Sequence, residues 1–275
     1  MRLGPIDRRS KHIAVLMTCY NRVDTTVRCL RLLFAQKGDF DLSVFLVDDA
    51  SPDSTGMRVE TEFPSVKVII GTGALYWCRG MNLAWRTAGN DWDAVLWLND
   101  DVELCEGALA GILADADATG WKAAIVGSFL DGGGRMTYGV HENWVWIEPC
   151  GSPRETIGDI SGNLVLIPRS VFEKVGMIAD CYSHAYGDYD YSARMRKSGV
   201  KYYLASNVCG RCDDDKSADS LRRKSILERA RCLVRPCGRN LKDAVLYRYK
   251  YYGLLRAIIT AIHVPYIVLK GGQKK

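Results

Sequence analysis

Two pairs of adjacent carboxylates each follow an apolar run. Asp100-Asp101 comes after Val95-Leu96-Trp97-Leu98-Asn99, and Asp48-Asp49 ends the run that begins at Leu42. Neighbouring carboxylates repel unless a cation lies between them or one is protonated. An all-oxygen ligand set suits a hard divalent cation, Mg²⁺ or Mn²⁺, and a metal so held can in turn hold a diphosphate. The plainer alternative is a polar turn in which Asp101 is the N-cap of the next helix. A third acidic segment, Gly187-Asp188-Tyr189-Asp190-Tyr191, lies far downstream at the start of a predicted helix.

The elements that carry these acids read as a doubly wound, mostly parallel sheet. The Val95–Leu98 run is apolar at successive positions, as a strand buried on both faces is, His12 to Thr18 reads as a first buried strand, and Leu42 to Val47, Val66 to Ile70 and Ala123 to Gly127 read as further strands. Helical segments to about Gln36, from about Arg79 to Ala88 and near 106–117 alternate with them. Ligands of such sheets bind beyond the carboxyl ends of the strands, where both acid pairs fall. Residues 131–160 are different: glycine-rich, with Tyr138, Trp144, Trp146 and Ile157 in short runs, which predicts hairpins or a flexible wall. A strand from Leu164 to Ile167, a helix to about Lys197 closed by Gly199 and a last strand from Val200 to Ala205 follow.

Charge divides the chain. Residues 221–275 hold 14 Lys/Arg and 2 Asp/Glu, or +12, whereas residues 1–220 hold 23 and 30, or −7. An acidic body with a basic tail predicts that the tail meets something anionic. From Arg248 onward, polar positions (Arg248, Tyr252, Arg256, Thr260, His263) alternate at helical spacing with apolar ones. The apolar run over 254–269 is too short and interrupted to span a bilayer, so two readings stand: an interfacial helix on an anionic leaflet, or a helix packed on the body or on a second subunit. The ten scattered cysteines and the absence of an apolar run before Ile13 predict a cytoplasmic protein without a signal peptide. Cys209-x-x-Cys212 with Cys232 and Cys237 has no second CxxC, which argues against zinc.

Five segments in register, VLMTCYNR at 15–22, VDDASPDST at 47–55, LNDD at 98–101, SGN at 161–163 and GDYDYSAR at 187–194, resemble glycosyltransferase family 2. GALYWCRGMNLAW at 73–85 with LWLNDD at 96–101 looks most like its bacterial rhamnosyl- and galactofuranosyltransferase-like members. The resemblance implies a GT-A fold, Rossmann-like, over residues 1–210, with a nucleotide-sugar half at about 12–127 and an acceptor half at about 128–210. Residues 211–275 would form a basic helical extension. It implies that Asp49 accepts the N3–H of a uracil or thymine, that Asp101 ligates Mn²⁺ or Mg²⁺, and that Asp100 reaches the ribose or a metal-bound water. Thr18, Tyr20, Arg22, Trp77 and Arg79 would complete the donor site. Asp188 would be the catalytic base, Asp190 would orient backbone or Arg194, and Asn163 and His184 would face the acceptor. The family's metal-binding His after the last strand is missing, since Val208-Cys209-Gly210-Arg211-Cys212 stands there.

The expected activity is transfer with inversion from a UDP- or dTDP-sugar to a hydroxyl of a growing bacterial surface glycan. That glycan would be an O-antigen, capsule or cell-wall polysaccharide carried on a polyprenyl diphosphate at the inner face of the cell membrane. The expected partners are the donor, the acceptor and an anionic membrane, with no nucleic acid, and a homodimer through the C-terminal helices is a further option. A nucleotidyltransferase is a rival, but its Gly-rich triphosphate signature is missing from the loop at 19–22. A non-enzymatic binder of anionic lipid or nucleic acid would leave the acids at the strand ends without a purpose.

Overall fold

The computed structural model describes residues 10–213, 224–235 and 240–270. Its strands are β1 (Lys11–Cys19), β2 (Phe40–Asp48), β3 (Lys67–Ile70), β4 (Ala94–Leu98), β5 (Glu103–Leu104), β6 (Ala124–Leu130), β7 (Met136–Tyr138), β8 (Val140–Glu142), β9 (Val145–Trp146), β10 (Arg154–Thr156), β11 (Asp159–Ile160), β12 (Leu164–Pro168) and β13 (Tyr202–Arg211). The helices are α1 (Val23–Phe34), α2 (Thr55–Glu62), α3 (Tyr76–Ala88), α4 (Ala108–Ala118), α5 (Arg169–Val175), α6 (Gly187–Lys197), α7 (Ile226–Val234) and α8 (Leu241–Leu269).

The main sheet runs β10-β13-β6-β12-β4-β1-β2-β3. Strands β1 to β4 are mutually parallel, and β13 is parallel to β6, while β12 runs antiparallel between β4 and β6. Alternate residues of β1 explain why helices cover both faces. Ile13, Val15 and Met17 meet Leu30 and Leu33 of α1, whereas Ala14 and Leu16 meet Met81 and Trp85 of α3. The β4 run is buried on both faces as its composition predicts, with Trp97 wedged edge-on between Trp85 and Tyr191. The segment 131–160 forms hairpin strands, three of which make a small separate sheet, β11-β8-β9.

Two boundaries differ from the sequence-based expectation, each for a long-range reason. Helix α3 begins at Tyr76, three residues earlier than the local pattern predicts. The Asp49 carboxylate accepts the amides of Gly73 (2.8 Å), Leu75 (2.8 Å) and Tyr76 (3.0 Å), so an acid from another strand satisfies the N–H groups that a helix start leaves open. Strand β13 runs on to Arg211 because its end pairs with β5. Gly210, at φ 155°, passes so close to that strand that a Cβ would lie 2.0 Å from the Glu103 carbonyl oxygen. The last strand therefore extends six residues past Ala205, where the sequence pattern ends it.

Helix α8 is broken at Gly253 (φ 80°, ψ 177°), a left-handed backbone position that glycine adopts without a steric penalty. The break interrupts the helical phase, so the polar stripe expected to run from Arg248 through Arg256 does not continue as one face. Before the break, the helix packs on the body. Asp243 accepts the Ser183 amide (2.8 Å), and Lys250 (2.5 Å) and Tyr251 (2.7 Å) both reach Asp190. After it, Leu254, Leu255, Ile258, Ile259, Ile262 and Tyr266 are all exposed.

Candidate active site

The carboxyl ends of β1, β2 and β4 open into a cavity of about 850 Å³. Ten of the eleven predicted site residues line it: Thr18, Tyr20, Arg22, Asp49, Trp77 and Asp100, with Asp101, Asn163, His184 and Asp188. Arg79 does not. Because α3 starts at Tyr76, Arg79 lies two residues beyond Trp77, about 200° round the helix axis from it. Its Nε is buried without a hydrogen-bond partner, and the side chain is not part of the cavity wall.

The two carboxylates of each pair have separate work. Asp48 takes the local role, accepting the amides of Ser51 (3.0 Å) and Gly56 (2.9 Å) and so fixing the entry to α2. Asp49 fastens the 71–76 loop by the three bonds described above. An ionised carboxylate has about four acceptor sites, which leaves capacity on the cavity side for one more donor. Asp100 is buried beside Thr26 Oγ1 (3.1 Å), and desolvation, reinforced by the charge of Asp101 against the opposing pull of Arg22, pushes its pKa up to about 7. The Asp101 side chain is 36% exposed and faces the cavity. The Arg22 guanidinium bridges both, 3.3 Å from Asp100 and 2.9 Å from Asp101.

The end of β13 brings Cys212, where a His was missing, to Asp101, with Sγ 3.7 Å from Oδ1. Burial and the neighbouring charge of Asp101 push this thiol well up, so it stands as a protonated donor to the carboxylate. Among the described residues no three His, Cys, Asp or Glu side chains are grouped to hold a metal. The protein's oxygen donors fit a hard cation that takes one or two carboxylate oxygens from the chain and the rest from phosphate and water. The zinc alternative is not supported among the described residues. Cys209 points toward Gly127, Cys212 toward Asp101, and Cys237 lies outside the described residues.

Across the cavity, Asp188 sits in the first turn of α6. Its oxygens accept the amides of Tyr189 (2.9 Å) and Gly162 (3.2 Å), and among the described residues no cation pairs with it. Burial pushes its pKa up to about 6, against the pull of those two amides. Gly162 explains the SGN segment. A Cβ there would fall 2.4 Å from the Trp77 indole, so only glycine lets the chain pass between Trp77 and Asp188. Asn163 and Ser161 flank it: the Asn163 carbonyl accepts the Asn99 amide, and Ser161 Oγ binds the backbone of Gly139. Gly162→Ala is expected to push the indole or the Asp188 carboxylate out of place and to lower kcat about 100-fold. Steady-state kinetics with an unchanged melting temperature would check this.

The remaining wall is aromatic. Tyr138, His141, Trp144 and Trp146 come from the β7–β9 hairpins, and the His141 ring stacks on Trp144 at 5.4 Å. Tyr186, Tyr189, Tyr247 and Tyr252 continue the wall, with Arg248 among them. The hairpin aromatics were visible in the sequence as a wall. Tyr247, Arg248 and Tyr252 were not, because they read as part of a tail; only their spacing one turn apart hinted at a shared face.

A mostly parallel sheet with acid pairs beyond the ends of two strands, faced across one cavity by a third acid on a helix beyond the antiparallel β12, is the arrangement of the GT-A class of glycosyltransferase. The model of glycosyl transferase family 2 matches residues 14–176, more than half of the chain, and the protein belongs to that family. Solved structures agree on the fold. A mannosyltransferase of Pyrobaculum calidifontis, solved with GDP-Man and Mn²⁺, aligns at TM-score 0.55 and 16% identity over 98% of this chain and 75% of that one. TarS of S. aureus (residues 1–349) aligns at 0.57 and 15% over 94% and 81%. GalNAc-T7, solved with UDP, GalNAc and Mn²⁺, aligns at 0.58 and 13% over 74% of this chain, which spans only 45% of that longer one. No curated protein sequence matches the chain.

Proposed function

We propose that this glycosyltransferase inverts the anomeric centre of a UDP- or dTDP-sugar as it transfers the sugar to a hydroxyl of a growing bacterial surface glycan. That glycan is an O-antigen, capsule or cell-wall polysaccharide carried on a polyprenyl diphosphate. The observation that carries the reading is that Asp49, Asp101 and Asp188, from three distant parts of the chain, face one cavity. Asp49 has acceptor capacity left for a pyrimidine N–H. Asp188 takes the proton of the attacking hydroxyl. Retention through a covalent intermediate would need a second carboxylate acting as nucleophile. Asp159, the other acid on that side, is paired with Arg196 (3.1 Å).

A divalent cation, Mn²⁺ or Mg²⁺, would be held by Asp101 with Asp100 behind it. When bound, it supplies Lewis-acid neutralisation of the departing nucleoside diphosphate. Two of the solved neighbours contain Mn²⁺, and two contain UDP or GDP-Man. The test is a thermal-shift panel of nucleotide sugars followed by a transfer assay. A donor should raise the melting temperature by mass action. Transfer should fall at least about tenfold with EDTA, return with Mn²⁺ in the wild type, and fail to return in Asp101→Ala. Activity indifferent to EDTA would remove the metal from the reading.

The placement at the inner membrane face rests on α8. Its length and composition alone would let it cross a bilayer, but the part beyond Gly253 is sixteen residues, about 24 Å, against a hydrocarbon core of about 30 Å. Its exposed leucines and isoleucines, with Arg231, Arg235 and Arg256 nearby in sequence and also exposed, suit an anionic interface. The first half of α8 holds the base loop, so the informative truncation removes 254–275. It should leave donor binding intact and abolish co-sedimentation with phosphatidylglycerol vesicles. Unchanged sedimentation would refute membrane contact and leave the homodimer as the use of this surface.

A further inference from the structure

The cavity has a cation that donor binding and base catalysis leave unused. Arg248 lies on the last turn of α8 before the break, on the acceptor side with Tyr186 and Tyr189 rather than beside the acid pairs. Its guanidinium is 4.9 Å from the Tyr252 ring centre and 5.9 Å from that of Tyr247. Cation–π contact presents the group without discharging it. No carboxylate among the described residues pairs with it, although the body around it is acidic. Tyr247 is 2% exposed and stacked on Tyr186, one residue from the turn that carries Asp188, so the platform under Arg248 is rigid.

One residue past Tyr252 the chain turns at Gly253, and the exposed apolar face begins at Leu254 and Leu255. Contacts therefore run from Tyr189, beside Asp188, to Tyr247, from Tyr247 to Arg248 and Tyr252, and the chain then continues into the exposed apolar helix. An amphiphile whose sugar, anionic link and hydrocarbon follow one another matches that order group for group. A planar guanidinium is the side chain best suited to phosphate oxygens, which it meets with two parallel hydrogen bonds.

We propose that Arg248, framed by Tyr247 and Tyr252, is the subsite for the phosphate that joins the acceptor sugar to its lipid, with the hydrocarbon leaving along the face that starts at Leu254. This rests on the lipid-linked acceptor of the preceding reading and narrows it. Tyr189, next to Asp188, has its ring 6.3 Å from that of Tyr247, and Arg248 lies 5.9 Å from the same Tyr247 ring, so the hydroxyl that is glycosylated lies close to the lipid phosphate. The acceptor is a lipid-phosphate carrying one or a few sugars, as in an early step of chain assembly, and the reaction before this one must attach the first sugar to the lipid phosphate.

Farnesyl diphosphate, farnesol and inorganic diphosphate serve as probes, titrated by intrinsic tryptophan fluorescence, since Trp77, Trp144 and Trp146 line the cavity. Farnesyl diphosphate should bind the wild type about tenfold or more tightly than either fragment. Arg248→Gln should lose about tenfold for farnesyl diphosphate and nothing for farnesol. The double variant Leu255→Asp/Ile259→Asp should reduce both farnesyl ligands and spare inorganic diphosphate. Three results would overturn the subsite: equal farnesyl diphosphate affinity in Arg248→Gln, loss in Arg22→Gln instead (the probe then sits in the donor site), or an equal loss by Arg248→Gln on phosphatidylglycerol vesicles, which would make Arg248 a general membrane contact. Vesicle binding by the wild type reports separately on the membrane reading, so the two ideas can fail independently.

Discussion

Asp188→Asn should reduce transfer by about 10²- to 10⁴-fold, the range for losing a positioned general base, while donor binding survives. The carboxylate is buried, no cation among the described residues pairs with it, and burial pushes its pKa up to about 6. A base works in its ionised form, so the wild-type rate should rise with pH and level off above an apparent pKa near that value; the variant should lack this limb. The sign for stability is opposite. A carboxyl whose folded pKa is raised above its unfolded value takes up more protons when folded, so its ionisation destabilises the protein as pH rises from about 4 through 6. The amide carries no such charge, so the melting temperature of Asp188→Asn at pH 7 should hold or rise. A variant that is both inactive and strongly destabilised would point to a structural acid.

Asp190, two residues on, should behave in the opposite way. Its side chain is fully buried, with Arg194 at 2.8 Å and Lys250 at 2.5 Å. Burial alone would raise its pKa, but Lys250, Tyr251 and Arg194 outweigh it and hold the carboxyl below its ordinary value. Asp190→Ala strands two cations, a loss of about 3–5 kcal/mol for a buried pair deprived of one member. For a chain of this size that is on the order of 10 °C in melting temperature, measurable by calorimetry. The acid's folded pKa is depressed, so its stabilising share is present at neutral pH and disappears as pH falls through that depressed value. Because Lys250 and Tyr251 belong to α8, the same variant should also loosen the helix that carries Arg248.

The central strands were legible because β1, β2 and β4 are rich in apolar residues, and the convergence of Asp49, Asp101 and Asp188 on one cavity was expected from acids that follow two strands and open a helix. Arg79 was misread because the true start of α3 is set by Asp49, a residue from a different strand, and no local signal marks it. The Arg248 wall was misread because Gly253 looked like one more residue of an amphipathic helix. The continuation of β13 was hidden because Gly210 and Cys212 resemble loop chemistry until β5 is seen beside them.

Arg22 has a consequence for how the enzyme rests between turnovers. Because its guanidinium spans Asp100 and Asp101, the mouth of the cleft carries its own counterion. An incoming polyanion meets a pair of acids already held by a counterion rather than two bare carboxylates, which lessens the repulsion at the mouth. A cation held by Asp101 would free this guanidinium to meet the phosphates of a donor.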